Sequence, residues 1–190
     1  MPVASRSVRV RGFTIIEMVV VLMILAIVIV MALPSYNLWI ANTQVRTAAE
    51  SAQNGLRVAA SEAVRRNVQV DFVRTLDPVP GLTSASNIAG MSWVVRSNPP
   101  APDVAELIDS KPAAEASQSV AVAANAAVVS FTGIGRLVSG SAQTCMRFTN
   151  PNGDRPLIVT VTTGGSVRMC DPAFPANDPR GCPALPAPCA

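Results

Sequence analysis

The 190-residue chain contains no histidine, which removes the commonest general base and with it the Ser-His and Cys-His nucleophile pairs. It has no Gly-x-x-x-x-Gly-Lys loop to cradle a phosphate. Paired carboxylates such as Asp103 with Glu106, or Asp171 with Asp178, stand in proline-bearing stretches where solvated surface charge is the ordinary outcome. The four cysteines, Cys145, Cys170, Cys182 and Cys189, have 24, 11 and 6 residues between them, so there is no Cys-x-x-Cys pair. Zinc therefore lacks its usual ligand set. Internal repeats that would signal a solenoid are absent. These absences predict a non-enzyme with no catalytic residues, no metal and no cofactor.

Charge of one sign is also scarcer than it looks. The formal net charge is +3, but three of the 15 basic residues, Arg6, Arg9 and Arg11, precede Gly12, so the remainder balances at 12 of each sign. The balance is uneven: residues 71–115 hold six acids against Arg74, Arg96 and Lys111, whereas residues 118–190 hold Arg136, Arg147, Arg155, Arg168 and Arg180 against Asp154, Asp171 and Asp178. A modestly positive carboxy-terminal face follows.

What is present is concentrated at the amino terminus. Residues 11–17 read Arg-Gly-Phe-Thr-Ile-Ile-Glu, and residues 18–33 run sixteen positions without a polar side chain. Residues 1–12, with three arginines and neither acid nor apolar run, have the character of a short cytoplasmic tail held inside by its positive charge. An ordinary secretory signal places its small-residue cleavage site after the apolar stretch; here Gly12 precedes it. Cutting after Gly12 would leave the apolar segment on the mature chain. At about 1.5 Å per residue, residues 13–33 reach roughly 31 Å, close to the hydrocarbon thickness of about 30 Å.

Glu17 is the anomaly in this segment. A carboxylate near the apolar core costs about 2.5 to 3.5 kcal/mol, whereas at headgroup level it would cost little. Cleavage after Gly12 would free the α-amine of Phe13 four residues away, about one helical turn, and the same amine on a neighbouring subunit would be an equivalent partner.

The run Gly12-Phe13-Thr14-Ile15-Ile16-Glu17, followed by an apolar helix and Pro34, resembles the class III leader and amino-terminal helix of type IV pilins and type II secretion pseudopilins. The resemblance implies cleavage after Gly12 by a prepilin peptidase that is also a methyltransferase, N-methylation of Phe13, and use of Glu17 in docking into a filament of other pilins or pseudopilins. Pro34 matches the helix-kinking proline of many members, and it can bend a helix because it lacks an amide hydrogen and crowds the carbonyl four residues earlier. The implied localisation is the inner membrane, single-pass, with the head in the periplasm. Residues 39–50 and 56–67 are similar to the FimT/GspH group of that superfamily.

Past Pro34 the helix is expected to resume to Arg66, with Leu38, Val45, Ala49, Ala52, Leu56, Ala59, Ala60 and Ala63 forming one packing stripe. Strand-like runs then occur at 68–73, 92–96, 127–132, 145–149, 157–163 and 166–170. Gly164-Gly165 fits a two-residue hairpin turn. Residues 98–119 are rich in Pro, Ala and Ser, those from 120 to 127 are apolar but small, and the whole stretch reads as a long surface connection. The predicted class is α+β and pilin-like: leader 1–12, transmembrane helix 13–33, amphipathic stalk 34–67, and a small antiparallel β-sheet head 68–190 with a Pro- and Cys-rich tail too short for a core of its own.

With the head in the periplasm, disulfides persist. Four cysteines allow three connectivities and the sequence does not choose; the preferred set joins Cys170 to Cys182, tying the tail to the last strand, and Cys145 to Cys189, pinning the terminus.

The FimT branch resembles DNA receptors of natural transformation, whose Gly-Arg-x-Arg motif binds DNA without sequence preference through arginine forks on phosphate. The matching stretch is Gly165-Ser166-Val167-Arg168, with Ser166 where the first arginine would stand. Arg155 and Arg180 would have to gather around Arg168 to compensate. The leading expectation is a minor pilin or pseudopilin, FimT/GspH-like, serving pilus assembly or secretion. DNA capture is the alternative, and an unrelated anchored periplasmic protein is a third.

Overall fold

The computed structural model describes residues 12–115, 119–138 and 143–189, so the expected leader lies outside the described residues except for Gly12. The chain forms two compact units that divide between Asn37 and Leu38.

Helix α1 (Ile15–Arg66) has 52 residues and passes through Pro34. Its start is set by Thr14, whose Oγ1 accepts the Glu17 amide at 3.3 Å while its carbonyl accepts the Met18 amide at 3.2 Å. This is an N-cap with Glu at the third helical position, as in a capping box. At the other end Asn67 takes φ 53°, a left-handed conformation that stops the helix, behind Arg65 and Arg66 whose charges suit the carboxy-terminal dipole. Among the described residues no single helix is long and apolar enough to cross a membrane, whereas Ile15–Met31 and Ser35–Arg66 taken together qualify by length and composition.

Among the described residues the head has eight strands in two antiparallel sheets. One, ordered β3-β2-β1-β5, contains β1 (Gln69–Thr75), β2 (Ser92–Asn98), β3 (Leu107–Lys111) and β5 (Val128–Phe131). The other, ordered β4-β6-β7-β8, contains β4 (Ala121–Ala124), β6 (Thr144–Thr149), β7 (Leu157–Val161) and β8 (Val167–Cys170). The α+β class and all six expected strand regions are present. Two strands are corrections to the expected surface connection: β3 and β4 lie within residues 98–127 and pair with β2 and β6. Both are sheet edges, where partner hydrogen bonds supply what Leu-Ile-Asp-Ser-Lys and Ala-Val-Ala-Ala lack in intrinsic strand character. The β7–β8 hairpin turn is one residue longer than expected. Thr162 N donates to Ser166 O at 3.0 Å, which leaves a three-residue loop at 163–165, with only Gly165 at positive φ (86°). An αL residue closing a three-residue loop relieves the twist as well as the two-residue form would.

One core joins the second unit. The α1 stripe Val45, Ala48, Ala49, Ala52, Leu56, Ala59 and Ala63 is buried against Val70, Phe72, Trp93, Phe131, Met146 and Val159 from both sheets. Leu38 and Ala60, expected on that stripe, are only partly covered. Small residues let α1 approach closely, and at Gly55 an added Cβ would meet Phe72 and Trp93 at 2.8 and 3.0 Å. Strand alternation sends Met146 and Val159 toward α1 and Cys145 and Ile158 to the opposite face. There Cys170, Cys182, Leu185 and Cys189 complete a second, smaller cluster, so the tail covers a sheet face despite being proline-dense.

Polar contacts fasten α1 to the head at two levels. Asn42 Oδ1 accepts the Asp154 and Arg155 amides at 3.2 Å each and its Nδ2 donates to Asp154 Oδ1 at 2.8 Å. Arg66 reaches Glu106 at 2.6 Å. Glu62 receives Arg65 and Arg66, whose hydrogen bonds hold its carboxyl down to about 2.

Candidate functional site

The amino-terminal segment places Gly12, Phe13 and Thr14 ahead of the first helical turn, with Glu17 inside it, all exposed. From Ile15 to Met31 the large apolar side chains are exposed around the whole circumference, from 42% for Val19 to 87% for Ile15. No polar stripe interrupts them, so this half has no preferred face for a water-soluble core. A carboxylate in a first helical turn also meets the positive end of the helix dipole. Thr14 is the residue that sequence reasoning passed over here: Thr-x-x-Glu before an apolar run is a legible capping signal.

The cysteines are brought together in pairs. Cys145 is bonded to Cys189 with Cα atoms 6.2 Å apart, and Cys170 to Cys182 at 5.1 Å. Neighbouring strands β6 and β8 flank β7, so both bonds fix the tail across the outer face of one sheet. Among the described residues no group of three His, Cys, Asp or Glu is placed to hold a metal.

The arginines singled out for DNA meet different surroundings among the described residues. Arg168 Nη2 donates to the Pro179 carbonyl at 3.2 Å. Arg180 pairs with Asp178 at 2.9 Å and its guanidinium lies 3.8 Å over the Phe174 ring. Hydrogen bonding to Asp178 raises the Arg180 pKa, and Arg180 in turn lowers that of Asp178. Arg155 lines an open groove of about 510 Å³ with Trp39, Asn42, Arg46 and Asp171. Two of the three guanidiniums are thus already engaged by the protein's own acceptors.

A helix whose first half is apolar on every side and whose second half rests on a two-sheet head is a filament-subunit arrangement, and comparison with known proteins agrees. Residues 48–180 match the model of the type II transport protein GspH. The chain belongs to the GspH family. Residues 8–33 match the prokaryotic N-terminal methylation motif. Two solved structures share the fold of this GspH-family chain. The type IV minor pilin FimU of Pseudomonas aeruginosa is 16% identical, with a TM-score of 0.51 over 74% of this chain and 96% of that one. The minor pseudopilin EpsH from the type 2 secretion system of Vibrio cholerae is 10% identical, with a TM-score of 0.50 over 69% of this chain and 99% of that one. At such identities the likeness speaks for the fold alone. No curated protein matches the sequence. The family is one of structural subunits, and the chain is a minor pilin or pseudopilin with an amino-terminal anchoring helix.

Proposed function

We propose that this GspH-family subunit is cut after Gly12 by a prepilin peptidase, methylated on the new Phe13 amine, and held as a single-pass protein in the inner membrane with its head in the periplasm. From there it enters a short filament with other pilins or pseudopilins, exchanging lipid contacts along residues 15–33 for helix contacts. Pro34 would kink the helix, since it lacks an amide hydrogen and crowds the carbonyl four residues earlier. The observation that carries this reading is the all-round apolar exposure of Ile15–Met31, beginning two residues after the Phe13 to be freed.

Magnitudes support a neighbour for Glu17. Its place in the first turn is favourable by about 0.3–1 kcal/mol, against an insertion cost of about 2.5–3.5 kcal/mol for an acid at the centre of a membrane helix. The dipole alone does not offset burial in lipid, and a cationic amine from an adjacent subunit would. Mass spectrometry of the purified chain should find methylated Phe13 as the first residue; an intact leader on the mature protein would remove the basis of the proposal. Glu17→Gln should leave membrane insertion intact and reduce incorporation into filaments at least several-fold, and normal incorporation would refute the amine pairing.

A further inference from the structure

The alternation of β1 that turns Val70 and Phe72 toward α1 turns Arg74 the same way. A guanidinium therefore sits among core residues, 3% exposed. Its Nε and Nη2 donate to the Gly90 carbonyl at 3.1 and 2.8 Å. Its Nη1 is buried without a hydrogen-bond partner, and it is the one such side-chain atom among the described residues. Burial alone draws the Arg74 pKa down to about 10, with no carboxylate acting in the other direction.

Arg74 borders a cavity of about 20 Å³ together with Ser51, Ser92, Trp93 and Lys111. That room suits a single water-sized occupant. Two of the described lining side chains are cationic, Arg74 and Lys111, and none is acidic. Lys111 makes no ion pair among the described residues. A water molecule would answer the open donor but leave the charge without a counterpart, and a desolvated cation lacking one is the costly arrangement in a protein interior. A carboxylate or phosphate exceeds the space.

We propose that this cavity between α1, β1 and β2 is a binding site for one small monovalent anion of the chloride class, held by Arg74 Nη1 with Lys111 supplying the second positive charge. The bound ion would neutralise the core guanidinium and, by binding only the folded head, stabilise it in proportion to its concentration.

Trp93 offers a direct readout, since its ring borders the cavity and the chain has only one other tryptophan, Trp39. In the full-length Trp39→Phe chain in detergent, bromide is titrated against Trp93 fluorescence at ionic strength held constant with sulfate, which is too large for the site. The expected result is a saturating quenching component that chloride reverses. Arg74→Gln should abolish it and Lys111→Met should weaken it several-fold. Lys111 ends an edge strand and is only partly buried, so that variant carries the test if Arg74→Gln fails to fold. Quenching that stays linear in bromide, as a water-filled cavity would give, overturns the proposal. So does a saturating component that survives Lys111→Met and Arg74→Gln unchanged.

Discussion

The two halves of α1 are built from the same secondary structure and opposite side-chain logic. Residues 15–33 carry Ile, Val, Leu and Met on every face, all exposed, whereas residues 38–66 bury a narrow stripe of mostly alanine and expose charges elsewhere. The large side chains of the first half suit the lipid and helix partners proposed for it, for which no single face is distinguished. The second is small-sided because it lies on two sheets at once, where each added methylene would push the backbone away from the core. Apolar content alone therefore does not say what a helix packs on; side-chain size and its angular spread do.

The sharpest way to break this comparison is to shorten a leucine in each half. Leu56→Ala, at a fully buried position, is expected to destabilise the head by about 2–5 kcal/mol, while Leu25→Ala leaves the same unfolding transition unmoved. Near-UV circular dichroism melts of the full chain in detergent would report it, and equal losses would erase the distinction. Next in size is the platform under the second half. Replacing Cys145 and Cys189 together by Ala opens a 44-residue loop and should cost about 2–4 kcal/mol in denaturant unfolding. Opening the 12-residue Cys170–Cys182 loop should cost less.

The opposite change, from small to large, sharpens the size rule. Ala59→Leu, where Ala59 is 0% exposed, is expected to lose about 1–3 kcal/mol by overpacking, whereas Ala26→Leu should be silent in the same melt. The smallest effect concerns the end of the stalk. The Glu62 carboxyl is lowered from 4.5 to about 2 by Arg65 and Arg66, so its contribution is complete above about pH 4.5 and fades as the pH falls toward about 2. Glu62→Gln should flatten that acid limb slightly and change little at neutral pH, since Arg65 is exposed and solvent screens its pairing. A Tm that falls equally in both proteins over that range would assign the acid sensitivity to other groups.

Much of this could be read from the chain because the signals were local. The β-branched runs at 68–73 and 157–163, the three-and-four spacing from Val45 to Ala63, and the Gly-Phe-Thr-Ile-Ile-Glu run each lie within a few turns or a single strand. Edge strands β3 and β4 were not legible, since Leu107–Lys111 is only partly buried and Ala121–Ala124 is nearly all alanine; each is a strand because a neighbour presents open hydrogen bonds. The hairpin turn was placed correctly but one residue too short, because Gly164 and Gly165 look equivalent in sequence and only Gly165 occupies positive φ. The tail looked unable to fold because its composition is judged alone, whereas β6, β7 and β8 supply the face it covers.

By itself, the sequence determined the anchoring helix, the amino-terminal methylation motif and the α+β order of the head, since periodicity and short motifs act between residues close along the chain. Tertiary structure alone decided that Cys145 meets Cys189, that α1 rests on two sheets, and that Arg74 faces inward beside Lys111. Those outcomes join residues tens of positions apart. Their energies come from burial and charge in three dimensions, which no window on the sequence contains.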